Sequence, residues 1–223
     1  MPKRFELLVV DLDGTLVNSQ ALLVGLVNDT LVAQGLPATD GRLIATAIGL
    51  PLDEVFRRAL PRGSAATIDE LCARYRRRAD TQEFVRQFRL FAGVVSTLAH
   101  LRRDGLRLVV GTSKGRATSL DILTHCGIAD MIDEVIGGDS VARGKPHPEM
   151  VEQARRLFTA PAERTLVVGD TTFDMEMGKA AGVATCAVTY GMHTLEALRA
   201  LRPDFLIDRF EALRDVLASK VDS

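Results

Sequence analysis

The chain is poor in the features that mark specialised protein classes. Its three cysteines, Cys72, Cys126 and Cys186, are odd in number, far apart and without CxxC spacing. Neither a disulfide framework nor a zinc site is therefore indicated, and a reducing cytoplasm fits. Charge of one sign is not in excess: 28 Lys and Arg stand against 29 Asp and Glu, a formal net charge of −1. That balance argues against a global electrostatic footprint for nucleic acid or a membrane surface, so any anion must be held by a local site. Long apolar runs are missing too. The first one, Leu7 to Val10, stops at Asp11, too short for a signal segment or a membrane span. With only 8 Pro and 18 Gly in 223 residues there is no fibrous or low-complexity bias, and 47% hydrophobic with 26% charged residues is the balance of a globular chain. The length predicts one domain, or one domain carrying an insertion. No GxGxxG follows the first apolar run, and Gly138 and Gly144 enclose five residues with Pro146 after Lys145, so neither a dinucleotide fingerprint nor a nucleotide P-loop is present.

What is present is a set of short apolar runs, each ending in polar residues. Leu7 to Val10 precedes Asp11, Leu106 to Val110 precedes Gly111-Thr112, Val135-Ile136 precedes Gly137-Gly138-Asp139, and Leu166 to Val168 precedes Gly169-Asp170. They read as buried strands; Thr185 to Thr189 and Phe205 to Ile207 are weaker members of the series. Amphipathic stretches at Ala117–His125, Glu149–Phe158 and Met175–Ala181 alternate with them, the pattern of an α/β, doubly wound parallel sheet of Rossmann-like type. The alternation breaks between about Val17 and Arg89, where helical periodicity recurs at Ala21–Gln34, Arg42–Ile48, Leu52–Leu60 and Ile68–Phe88 with no strand-like run. The expected organisation is an α/β core from residues 1–16 and 90–223 with an inserted all-helical cap at 17–89.

Ligands of open parallel sheets collect at the carboxyl ends of the strands. Here those ends carry Asp11 and Asp13, then Thr112 and Ser113, then Lys145, then Asp170 and Asp174. Four carboxylates with one lysine would repel a phosphate dianion unless a divalent cation joined them. All the ligands are hard oxygens, which selects magnesium. Asp11 is then a candidate nucleophile, and Asp13 a candidate acid and base for the leaving oxygen and for water. Gly14 would let backbone N–H groups approach the phosphate, while Thr112 and Lys145 would hold its oxygens.

Four ordered motifs resemble one family: Asp11-Leu12-Asp13-Gly14-Thr15-Leu16, Val110-Gly111-Thr112, Gly144-Lys145-Pro146-His147-Pro148, and Val168-Gly169-Asp170-Thr171-Thr172-Phe173-Asp174. Together they are similar to the haloacid dehalogenase superfamily of phosphatases, in its phosphoglycolate phosphatase-like branch with a helical cap. The resemblance implies Asp11 as nucleophile, Asp13 as general acid and base, and Thr112 and Lys145 as phosphate anchors. It also implies magnesium held by Asp11, the Asp13 carbonyl and Asp170, with Asp174 supporting. The substrate so implied is a small phosphorylated metabolite such as 2-phosphoglycolate; inorganic pyrophosphate, a sugar phosphate or a phosphomutase reaction are the alternatives. Ser113 stands where the resembling phosphatases commonly carry Asn, beside Thr112 as a second candidate phosphate contact.

Other readings compete with parts of this pattern. Gly111-Thr112-Ser113-Lys114-Gly115 matches the G-x-S-x-G nucleophile elbow of serine esterases, although no HGGG-type segment lies upstream. A phospho-signalling receiver also groups acids, a hydroxyl and a lysine at strand ends, but it needs neither a cap nor Asp13. Asp174 has a second role open to it as a helix-start residue. Arg57, Arg58 and Arg62 are conceivable anion contacts, with solvated helix arginines the expected reading, and the run Arg74 to Arg78 reads as a solvated helix face.

Overall fold

The computed structural model describes residues 4–218. Six parallel strands form one sheet in the order β3-β2-β1-β4-β5-β6, with β1 Leu7–Val10, β2 Arg107–Gly111, β3 Glu134–Ile136, β4 Thr165–Gly169, β5 Ala184–Val188 and β6 Phe205–Ile207. The chain enters at the centre of the sheet, steps outward through β2 and β3, and returns to the other side of β1 with β4. That reversal places a topological switch point between β1 and β4, so their carboxyl ends face a crevice.

Both faces of the sheet are covered, which explains why its strands read as unbroken apolar runs. Alternate residues of β1 serve opposite faces. Leu8 and Val10 pack into the cluster that holds Leu98 and Leu101 of α6 (Val94–Arg103) and Ile122 of α7 (Arg116–His125). Leu7 and Val9 join Met150, Val151 and Ala154 of α8 (Glu149–Phe158). The remaining helices of this part are α9 (Thr172–Ala180), α10 (Leu195–Ala200) and α11 (Leu213–Ala218).

Residues 17–89 contain α1 (Gln20–Ala33), α2 (Gly41–Ala45), α3 (Leu52–Ala59), α4 (Ala65–Ala79) and α5 (Gln82–Val85), and no named strand. The segment leaves and rejoins the sheet at one place. Val17 and Leu90 form an antiparallel bridge, the Asn18 amide donates to the Arg89 carbonyl at 2.8 Å, and the Phe91 amide donates to the Leu16 carbonyl at 3.0 Å. Within it Phe56 of α3 meets Tyr75 of α4 edge to face, ring centroids 6.0 Å apart.

Two expectations from periodicity need correction. The stretch Ile68–Phe88 is two helices, because the Thr81 hydroxyl accepts from the Phe84 amide at 3.3 Å and so starts α5 after α4 has ended at Asp80. The stretch Arg42–Ile48 is helical only to Ala45; the turn beyond it runs into Gly49, whose φ of 107° lies outside the helical region.

Leu8 is fully buried in the central strand, so Leu8→Ala should lower unfolding free energy by about 2–5 kcal/mol in urea titrations. Leu195→Ala, at a position 39% exposed, should cost less than about 0.5 kcal/mol. Equal costs at the two sites would contradict the assigned core.

Candidate active site

The strand order sets the site. Asp11 follows β1 directly, and its amide donates to the Val168 carbonyl at 2.9 Å, which ties it to the end of β4. The chain then turns tightly, with the Leu16 and Val17 amides both donating to the Leu12 carbonyl and the Gly14 amide donating to the Val17 carbonyl. Gly14 is required there on two grounds. Its φ is 83°, and a Cβ would collide with the Asp170 carboxylate.

Lys145 is the centre of the cluster. Its side chain is fully buried, with Nζ 2.6 Å from Asp11 Oδ1 and 2.7 Å from Asp174 Oδ1. Burial alone would favour the neutral amine, but the two carboxylates prevail and the ammonium is held above its usual range. Asp174 has its two roles on two different oxygens. Oδ2 accepts from the Thr171 amide at 3.0 Å and the Thr171 hydroxyl at 2.7 Å, closing a capping box at the start of α9, while Oδ1 faces Lys145. Asp170 follows β4 and is oriented by Thr15 Oγ1 at 2.9 Å and by the Met192 amide at 2.7 Å. Burial raises its carboxyl well above the ordinary range, with Asp11 and Asp174 adding to the effect. Asp11 is pushed up to about 7, by burial first, with Lys145 opposing and Asp174 and Asp13 reinforcing.

Asp13 points elsewhere. Ser19 Oγ donates to its Oδ1 at 2.7 Å, and Lys114 Nζ lies 2.7 Å from its Oδ2 and 5.3 Å from the centroid of the Phe88 ring. Sequence reasoning missed Lys114 and Ser19. Lys114 lies two positions after Thr112, inside the five residues that were weighed as a serine elbow. Thr112 is buried at the end of β2, and its Oγ1 accepts from the Lys114 amide at 3.2 Å. Ser113 Oγ donates to the Gly49 carbonyl at 2.6 Å, so its hydroxyl is directed at the helical segment and not at a histidine base. The elbow motif therefore lacks the partner that would activate it.

Four carboxylates against the two ammonium groups of Lys145 and Lys114 leave a formal excess of two negative charges in a buried pocket. Asp11, Asp170 and Asp174 each offer an oxygen, and these oxygens lie within 4.8 Å of one another. Hard oxygen donors, crowding and uncompensated charge all fit a divalent cation. Above Asp11 opens a cavity of about 590 Å³, lined by Asp13, Thr112 and Lys114 from the sheet side and by Leu23, Ile48 and Tyr75 from the helical segment. Arg57 is instead engaged with Asp53 and Glu54, Arg58 lies over the Phe173 ring, and Arg62 is exposed. The arginine that lines the cavity is Arg76, from the run read as a solvated face.

The profile of the haloacid dehalogenase-like hydrolases matches residues 8–188. The chain belongs to that family. It is 38% identical over 209 residues to the "Probable phosphatase IndB" of Dickeya dadantii, covering 92% of this chain and 90% of that one. It is 35% identical over 213 residues to a plasmid-encoded phosphoglycolate phosphatase of Cupriavidus necator, covering 94% and 91%. A solved haloacid dehalogenase-like family hydrolase from Streptococcus pneumoniae superposes with a TM-score of 0.83 at 25% identity, over 96% of this chain and 99% of that one. This family member is a phosphatase, a hydrolase of phosphate esters, and phosphatases of the family are generally metal-dependent. No helix among the described residues is long and apolar enough to cross a membrane.

The raised carboxyl of Asp11 has a consequence for the metal-free protein. Because its folded-state pKa of about 7 exceeds the ordinary 3.8, the folded state retains a proton that the unfolded chain has released. Stability relative to an Asp11→Asn variant should therefore fall as pH rises from about 4 to about 7. Urea unfolding of both proteins in chelator tests this, and a pH-independent difference would contradict it.

Proposed function

We propose that this phosphatase hydrolyses a small phosphorylated metabolite, a phosphomonoester of the 2-phosphoglycolate kind, with magnesium and through a phosphoaspartate at Asp11. The observation that carries the reading is the Asp11 carboxylate set against buried Lys145, beside Asp170, at the floor of a cavity. Asp11 attacks phosphorus, the bond from phosphorus to the alcohol oxygen breaks, and the leaving oxygen takes a proton from Asp13. Asp13 then accepts a proton from the water that cleaves the acyl phosphate, which returns Asp11 and releases inorganic phosphate. Ser19 and Lys114 fix the orientation of the Asp13 carboxyl for both steps. Thr112 and Lys145 hold the phosphoryl oxygens, Gly14 allows backbone N–H groups close approach, and Ser113 serves the site through its neighbour rather than by attack. Asp11, Asp170 and the Asp13 carbonyl would hold magnesium, with Asp174 supporting from its place on Lys145. When bound, the ion neutralises the carboxylate excess and polarises phosphorus.

Residues 17–89 form the cap in this reading. Joined to the sheet at Val17 and Leu90, they cover Asp11, exclude water during the first step and choose among alcohols. A cytoplasmic location accords with three cysteines that are all unpaired.

Phosphate release from a panel of phosphorylated metabolites should vanish in excess chelator and return with magnesium, while full activity in chelator would remove the metal from the assignment. Magnesium at a hundredfold its Kd should also stabilise the wild type by about 2.7 kcal/mol, and Asp170→Asn should abolish most of that gain in thermal melts.

Asp11→Asn should leave almost no turnover in a folded protein. Lys145→Arg and Lys145→Ala should each lose at least about tenfold in kcat/KM, because a planar guanidinium cannot take the place of an ammonium lodged between two carboxylates. Ser113→Ala should retain phosphatase activity, and a serine-directed fluorophosphonate should not label the wild type. Ester cleavage that depends on Ser113 and survives loss of Asp11 would overturn the reading.

A further inference from the structure

The cavity over Asp11 has more room, and a more apolar wall, than a two-carbon acid uses. At about 30 Å³ for each water-sized group, 590 Å³ holds on the order of twenty such groups, more than twice the non-hydrogen atoms of 2-phosphoglycolate. The sheet side supplies a polar floor. The helical segment supplies Leu23 and Val27 of α1, Ile48, Leu50, and Val55 of α3, all of them buried. The charged groups that this segment adds, Asp53, Arg76 and Asp80, are more exposed, and two of them have partners: Arg57 faces Asp53, and Thr118 donates to Asp80. The apolar wall is also held in place, since Ser113 Oγ bonds to the Gly49 carbonyl between Ile48 and Leu50 and so fixes both beside the reacting groups.

A carbon chain that leaves water for a cavity walled by aliphatic side chains gains free energy from its own burial. We propose, resting on the phosphatase reading above, that the site takes a further class of substrate beyond small anionic metabolites: phosphomonoesters of apolar alcohols. The phosphoryl group lies at Asp11 and the alcohol's carbon chain packs against Leu23, Val27, Ile48, Leu50 and Val55. The chemistry is unchanged, with phosphorus passing to Asp11 and the alcohol leaving with a proton from Asp13.

Methyl, butyl, hexyl and octyl phosphate test this, because their leaving groups are chemically alike and differ mainly in buried length. The expected kcat/KM rises by up to about fourfold per methylene that reaches the wall, and levels off when the cavity is full. The matching alkylphosphonates, which cannot be hydrolysed, should bind with Kd falling in parallel and with a negative heat-capacity change in calorimetry. Ala79→Phe, which places a ring in the same cavity, should lower kcat/KM for the octyl ester more than for the methyl ester. The phosphonate series on the wild type keeps the proposal open to refutation even if that variant fails to fold. Turnover of methyl phosphate and 2-phosphoglycolate, together with flat alkyl and phosphonate series, would overturn the apolar-substrate assignment and leave the phosphatase reading standing. No turnover with any ester would overturn both.

Discussion

The rest of the site depends on Lys145 being buried between Asp11 and Asp174. A lysine with no solvent contact is tolerable only where carboxylates surround it, and removing either partner would leave an uncompensated charge. The pairing fixes the Asp11 carboxylate at one strand end against the helix-start residue Asp174 that follows another, so both are held by one buried ammonium. It also divides the acids into two groups. Asp13 is satisfied by Lys114 and Ser19, whereas Asp11 and Asp174 share the Lys145 ammonium and Asp170 takes the neutral donors Thr15 and the Met192 amide. That imbalance is where a cation adds most, because burial first and the neighbouring carboxylates second already raise Asp11 and Asp170.

The two sides of the cavity contribute different physics. The sheet presents charges locked by hydrogen bonds from Thr15, Thr171 and the Met192 amide, rigid dipoles that need no rearrangement during reaction. The helical segment presents mainly aliphatic side chains, which offer shape and apolar area. Charged and aliphatic walls thereby come from residues far apart in sequence that meet across the cavity.

Much of this was legible in the chain because both faces of the sheet are buried and each strand ends abruptly in a polar residue. The strand ends at Asp11, Thr112 and Asp170 were visible for that reason, and so was the order of the motifs. Other features were not, three of them for reasons that can be named. The break at Asp80–Thr81 was hidden because Thr81 restarts a helix of the same apolar period that α4 carries. Lys114 was overlooked because a lysine in a loop gives no local sign that a carboxylate from another strand will meet it. Arg76 lay in a run of like charges, and only the packing of α4 against α1 and α3 decides which of those arginines faces the cavity. Long-range pairings of this kind have no period to detect.

The antiparallel bridge between Val17 and Leu90 bears on how the chain assembles. In sequence β1 and β2 are separated by the whole helical segment, and closing a loop of that length before any contact forms carries an entropy cost that grows with the logarithm of its span. With helices α1 to α5 packed together, the two ends of the segment stand side by side. A packed segment of this kind presents the sheet with a short connection in place of a long one. A helical segment of different length or shape, anchored at the same two residues, would present β1 and β2 with the same pairing problem, and the central strands would register as they do here.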